Sequence, residues 1–89
     1  MRLYRLHTEN VERAWILDTV SRYFKGFTVY NVSGMYKGVA ESSLVIEIMA
    51  PGHVANVMVF LAKVIAQHNK QESVYITHSE IRGELVYGH

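Results

Sequence analysis

The chain has 89 residues, of which 49% are hydrophobic and 19% charged, with one proline and no cysteine. This composition excludes a disordered segment, and the lack of thiols excludes disulfide scaffolds, cysteine nucleophiles and thiolate zinc sites. Nine basic residues against eight acidic ones give a net charge of +1, which argues against binding to duplex DNA or anionic membranes through many cations. Because no apolar run approaches a membrane span and no signal-peptide pattern opens the chain, we expect one soluble, cytoplasmic domain over residues 1–89.

The first third of the chain predicts a strand, a helix and a second strand. Residues 1–7 alternate apolar with basic side chains, a pattern typical of a half-buried strand. Thr8 followed by Glu9 indicates a helix N-terminus, apolar residues recur at helical spacing up to Phe24, and Gly26 ends the helix. Residues 27–33 are rich in β-branched and aromatic side chains, which predicts the second strand.

The remaining residues predict a hairpin, a second helix and further strands. Residues 43–49 form a strand that pairs antiparallel with residues 27–33, with the connection over residues 34–41. Pro51 suits the first turn of a helix that runs to about Asn69. A strand follows around residues 74–76, and residues 85–87 predict a short last strand. The order β-α-β-β-α-β predicts a ferredoxin-like α+β fold, a split βαβ with two helices on one face of an antiparallel sheet.

This architecture leaves the second face of the sheet open to water. We expect that face to carry part of an apolar set that is too large for a comfortable monomer surface: Tyr4, Tyr30, Val32, Val45, Met49 and Tyr75. The sequence therefore predicts a homo-oligomer that packs these faces together, with three chains as a natural closure. The alternative is that the last strand and methionine-rich edges cover enough of the face.

Two site classes are disfavoured by residue spacing. The five histidines show no HxxxH or HxH pair and no acid that completes a triad, so we expect no metal and no cofactor. Residues 25–30 are partly similar to the aromatic RNA-stacking motif of RRM domains, but they follow the first helix instead of lying on the third strand. Ordinary strand packing explains them better, and we expect no nucleic-acid partner.

The segment from Ser33 to Glu41 is the best candidate site. Gly34 allows the backbone of Met35 to approach a ligand closely, Tyr36 follows at once, and Glu41 precedes the next predicted strand. The alternative is a plain hairpin connection with a solvated acid and a tyrosine lying along the sheet.

The residues of this segment resemble those of phage-encoded enzymes that degrade S-adenosylmethionine (SAM), long called hydrolases and better described as lyases. The resemblance rests on residues 33–37 and Glu41, and it continues through residues 61–62, Gln71, Ser79 and residues 85–87. It implies a trimeric, PII-like version of the split βαβ fold with ligand sites between subunits. It also implies that Tyr36 is the active-site tyrosine and Glu41 the active-site glutamate. The connection is shorter than in longer family members, which leaves Glu47 as an alternative acid. A phage source would suggest a role against methyl-dependent restriction in the infected cell.

The implied reaction needs few polar groups. The carboxylate of SAM displaces the thioether from its own γ-carbon, which yields 5′-methylthioadenosine and homoserine lactone. Because a cation and an anion disappear together, a dry pocket that folds the methionine tail accelerates the step. In this hypothesis Glu41 holds the substrate ammonium, Tyr36 lies near the sulfonium, and the backbone of Ser33, Gly34 and Met35 contacts adenine or ribose.

Two other function classes remain at this stage. The chain could be a non-catalytic PII-like module that binds a nucleotide between subunits, or an oligomer that serves only in protein interactions. Only Lys37 lies near the candidate site, which disfavours a ligand with several phosphates.

Overall fold

The structure, a computed structural model, describes residues 1–88, and for Tyr36 it describes only the backbone. His89 and the side chain of Tyr36 lie outside the described part. The chain forms β1 (Arg2–Glu9), α1 (Arg13–Ser21), β2 (Thr28–Tyr36), β3 (Val39–Ala50), α2 (Ala55–His68) and β4 (Tyr75–Glu80). A short 3-10 turn over Gly52–Val54 leads into α2.

The four strands make one antiparallel sheet in the order β2-β3-β1-β4. The two helices pack on one face of this sheet, where they enclose the hydrophobic core. The predicted ferredoxin-like α+β fold is therefore confirmed. No helix within residues 1–88 is both long enough and apolar enough to cross a membrane.

The core follows from the period-two pattern of the two central strands. Tyr4 and Leu6 of β1 and alternate residues from Leu44 to Ala50 of β3 face the helices and are buried. They meet apolar residues that recur at helical spacing: Ile16 and Val20 of α1, and Met58, Leu61 and Ile65 of α2. Burial of each such large side chain contributes roughly 1.5–3 kcal/mol.

One residue predicted for the open face belongs to this core. Tyr4 is 1% exposed, and its hydroxyl donates a hydrogen bond to the carbonyl of Gly52 at 3.3 Å. Tyr4 shares the strand parity of Leu6, so both must face the helices. Of the other residues predicted for that face, Tyr30, Met49 and Tyr75 are 45%, 68% and 69% exposed and Val32 is 37% exposed, whereas Val45 is half-buried.

The first helix is shorter than predicted, and its predicted cap is wrong. Thr8 and Glu9 extend β1 and pair with Leu44 and Ser43 of β3, while α1 begins only at Arg13. The hydroxyl of Thr8 is committed to the side chain of Gln71, 63 residues away. This long-range bond competes with capping and is not visible in local sequence.

The hairpin between β2 and β3 is longer than predicted, because its connection is only Lys37-Gly38. Both turn residues have positive φ, 52° and 78°, as a two-residue type I′ turn requires. Gly34, Met35 and Glu41, predicted for the loop, therefore lie within the strands. The resulting twelve-residue β3 spans about 40 Å.

The predicted last strand is absent from the described chain. Residues 85–87 form no ladder, and Leu85 and Val86 are more than 80% exposed. β4 is an edge strand of the sheet, and the described residues 85–87 do not pair with its outer edge.

Candidate functional site

Glu41 lies on the open face of the sheet, at the side of a groove. The groove has a volume of about 640 Å³ and is formed where β1, β3 and the segment before β4 meet. Its described lining consists of His7, Thr8, Glu9, Val32, Glu41, Ser43, Leu44, Val45, Ser73 and Tyr75. A second cavity of about 310 Å³ shares Glu9, Glu41 and Ser73 with it and adds Gln71 and Glu72.

Strand register places the candidate residues relative to one another. Glu41 pairs directly with Gly34, and Tyr36 pairs through its backbone with Val39, two residues from Glu41 along β3. Ser33 pairs with Ser42 and Met35 with Ala40. Because side chains alternate along a strand, those of Ser33 and Met35 project from the face opposite Glu41. A ligand beside Glu41 therefore meets the bare backbone of Gly34.

The structure separates the two alternative acids. Glu47 lies opposite Arg5, whose Nε donates to the Glu47 carboxylate at 3.0 Å, and its side chain is 21% exposed. Glu47 lines a different, smaller cavity of about 240 Å³ beside Gly26 and Phe27. Glu41 lines the large groove instead, and this difference favours Glu41 as the acid that meets a ligand.

The charge of the groove is negative. Glu9 and Glu41 are its two acids, and no lysine or arginine is among its described lining residues. His7 is held in the floor, with Nε2 at 3.1 Å from the Thr77 hydroxyl and its ring tilted against Tyr75 at 5.9 Å. An uncompensated acidic pair disfavours anions and favours a ligand that carries positive charge.

Side-chain amides hold the segment that bears Glu9. The Gln71 side-chain carbonyl accepts hydrogen bonds from the Thr8 hydroxyl at 2.9 Å and the Glu9 backbone N–H at 3.2 Å. Asn10 donates from its backbone and side chain to Ser42, next to Glu41, at 3.1 and 3.2 Å. His7, Glu9, Ser73 and Tyr75 were not predicted as site residues, because they are distant in sequence from residues 33–41 and only the tertiary fold brings them to the groove.

One charged pair at the far end of β1 shows a shifted acidity. Arg2 donates from Nε to Glu80 at 2.7 Å, and this hydrogen bond lowers the pKa of Glu80 and raises that of Arg2. The two residues are direct cross-strand partners. The pair lies outside the groove and serves to hold β4 against β1. No cluster of three or more potential metal ligands occurs among residues 1–88.

Solved structures of other proteins share this architecture. A DUF3240 family protein from Shewanella baltica OS155 is 19% identical, with 98% of this chain and 96% of that chain covered and a TM-score of 0.75. CPII, a nitrogen regulatory PII-like protein from Thiomonas intermedia K12 solved with ADP, AMP and bicarbonate, is 15% identical over 96% and 94%, with a TM-score of 0.70. A de novo designed protein, Foldit4, is 18% identical over 91% and 96%, with a TM-score of 0.54.

At these identities the likeness concerns the fold alone. No protein-family model matches the chain, and no curated protein does. What the comparisons establish is that this chain has a PII-like fold.

Proposed function

We propose that the chain is a SAM lyase, which binds SAM in the groove beside Glu41 and cleaves it to 5′-methylthioadenosine and homoserine lactone. The observation that carries the proposal is the acidic groove, in which Glu9 and Glu41 have no lysine or arginine beside them among the described lining residues. SAM bears a sulfonium and an ammonium against one carboxylate, so its net charge is opposite to that of the groove. A volume of about 640 Å³ lies within the range of small-molecule sites.

The residue roles follow from this placement. Glu41 binds the substrate ammonium and so turns the carboxylate toward the γ-carbon. A carboxylate oxygen forms the new bond to that carbon while the carbon–sulfur bond breaks and its electron pair stays on sulfur. Neither water nor a proton is consumed, so the enzyme needs to supply only orientation and exclusion of water. Tyr36, by its resemblance to the family's tyrosine, acts beside the sulfonium, and Gly34 leaves room for the nucleoside.

A second copy of the chain completes this site in our proposal. The groove is open to solvent on the sheet face that also exposes Tyr30, Met49 and Tyr75. Packing of such faces in a homotrimer would bury the apolar side chains and cover the groove. Water exclusion, on which the reaction depends, then follows from assembly.

A non-catalytic nucleotide-binding module is the second candidate. It is favoured by the PII-like fold, which this chain shares with a protein solved with ADP and AMP. ADP, AMP and SAM have the adenosine group in common, and they differ in the charge of the remainder. The acidic groove therefore favours the lyase over the nucleotide-binding module, because Glu9 and Glu41 repel a phosphorylated nucleotide and attract SAM.

The test is to incubate purified protein with SAM and separate the products by chromatography. Accumulation of 5′-methylthioadenosine and homoserine lactone above an enzyme-free sample supports the lyase. The reaction is run in ¹⁸O-labelled water, because hydrolytic cleavage would yield homoserine that carries the label at the γ-hydroxyl. Binding of SAM without turnover, or preferential binding of ADP or AMP, would contradict the lyase and favour the regulatory module.

A further inference from the structure

We infer that Gln71 is a positioning residue of the groove, which sets where Glu9 stands relative to Glu41; this inference rests on the proposed function. Gln71 follows α2 and precedes β4, and its side chain is half-buried. It makes three hydrogen-bond contacts with β1, and all three are directed to the two residues at the end of that strand.

The ladder between β1 and β4 ends before it reaches Glu9. The pairing of β1 with β4 ends at His7 and Tyr75. Two residues further along β1, the N–H of Glu9 has no β4 residue to bond. The Gln71 side-chain carbonyl accepts this N–H at 3.2 Å. A side-chain amide thus replaces the missing strand at the rim of the groove.

Thr8, the other β1 residue that Gln71 contacts, is 4% exposed, so its hydroxyl is shielded from water. A buried hydroxyl without a partner costs about 1–3 kcal/mol. The Thr8 hydroxyl donates to the Gln71 side-chain carbonyl at 2.9 Å and accepts from the Gln71 amide N–H at 2.8 Å. This buried contact fixes the Gln71 side chain, and the fixed side chain in turn holds the backbone of Glu9.

The hydrogen bonds of Gln71 to Thr8 and Glu9 lie at the candidate site. Glu9 and Glu41 line both cavities of the site, and Gln71 lines the smaller one. On the other edge of β1, Asn10 is bonded to Ser42, the neighbour of Glu41. The Asn10–Ser42 contacts hold one edge of β1 beside Glu41, and the Gln71 contacts hold its other edge. Together they determine the distance between Glu9 and Glu41. Loss of these contacts lets Glu9 move away from a ligand held by Glu41.

The experiment compares Gln71→Met with Gln67→Met. Methionine keeps the length of glutamine and removes both polar ends, and Gln67 is exposed on α2 away from the groove. Dissociation constants for SAM are measured by calorimetry at a temperature where each variant is folded by circular dichroism. We expect Gln71→Met to weaken SAM binding about tenfold, the equivalent of 1.4 kcal/mol, and Gln67→Met to leave it unchanged. Where turnover is measured, the loss should fall on KM more than on kcat.

A second variant, Gln71→Glu, and amide hydrogen exchange of Glu9 test the role of Gln71 without any ligand. Gln71→Glu retains an acceptor for Thr8 and Glu9, so this variant should fold even if Gln71→Met does not. Hydrogen exchange of the Glu9 backbone amide should stay slow in Gln71→Glu. In Gln71→Met the Glu9 amide should exchange faster, with the central strands unaffected. Failure of the wild-type protein to bind SAM would defeat the proposed function alone. Unchanged SAM affinity in folded Gln71→Met, or unchanged Glu9 exchange, would overturn the role of Gln71.

Discussion

Glu41 on β3 lies directly opposite Gly34 on β2, as partners in the antiparallel ladder. Among the described residues, no neighbouring atom lies within 4 Å of where a Cβ of Gly34 would stand, which leaves space beside the Glu41 carboxylate. In a strand, glycine costs roughly 0.5–1 kcal/mol relative to alanine. In the proposed site, a glycine at this position leaves room for a ligand beside the candidate acid.

This relationship predicts that Gly34→Ala lowers SAM affinity without lowering the free energy of unfolding. Since the added methyl group meets nothing, the free energy of unfolding should stay constant or rise by about 0.5–1 kcal/mol. SAM affinity should fall about tenfold, because the methyl group occupies the space where the ligand approaches the backbone. Gly26→Ala, which also meets nothing but lies beside the smaller cavity of Glu47, is the control. Undiminished SAM affinity in Gly34→Ala would remove Gly34 from the site.

Substitution Glu41→Gln tests the acid. It keeps the shape of the side chain and removes the charge that binds the substrate ammonium. Hydrogen bonds to charged groups contribute about 1.5–3 kcal/mol, so the rate of SAM cleavage at low SAM concentration should fall by about 10- to 100-fold. Glu47→Gln is the matched control, because Glu47 is engaged by Arg5 at 3.0 Å, and its cleavage rate should stay near that of wild type. The opposite order of the two variants would assign the role to Glu47.

Tyr30→Glu tests whether the open face is an interface. Tyr30 is 45% exposed on that face, on the edge strand β2, where it pairs with Val45 of β3. A charge placed there should dissociate a homotrimer to monomers in analytical ultracentrifugation, because burial of an unpaired carboxylate is unfavourable. Phe60→Glu places the same charge at an aromatic residue of α2 that is 48% exposed, and it should leave the sedimentation coefficient unchanged. A wild-type protein that sediments as a monomer at micromolar concentration would refute the interface.

The Arg2–Glu80 pair predicts a specific acid dependence of stability. The hydrogen bond from Arg2 holds the pKa of Glu80 below its ordinary value. A lowered folded-state pKa stabilises the protein above the ordinary carboxyl pKa, and this contribution disappears as the pH falls through the lowered value. Glu80→Gln should therefore unfold more easily than wild type at pH 6–7, and the difference should diminish as the pH falls below the ordinary carboxyl range. Because both side chains are solvent-exposed, the difference should be small and should shrink in high salt.

Urea unfolding at several pH values measures this effect. Glu84→Gln, at an exposed acid beyond β4, should show little difference from wild type across the range. A Glu80→Gln protein whose stability parallels that of wild type at every pH would show that the pair contributes nothing in solution.

The order of the elements could be predicted from the sequence alone. Residues 1–7 alternate apolar with basic side chains, and residues 43–49 form an apolar run rich in β-branched side chains, so both segments predict strands. The apolar residues of α2 recur at helical spacing. The β-α-β-β-α-β order then leaves few ways to bury both helices, which is why the ferredoxin-like fold could be predicted.

Tertiary structure decided which residues share the groove. Glu9, Glu41 and Ser73 come from three separate segments, and only the register of β1 against β3 and β4 brings them together. The end of β1 likewise depends on Gln71, whose side chain bonds Thr8 across 63 residues and keeps it from capping a helix. Local propensity describes each segment by itself, whereas hydrogen bonds between distant segments exist only once the sheet has formed. The candidate site depends on such long-range hydrogen bonds.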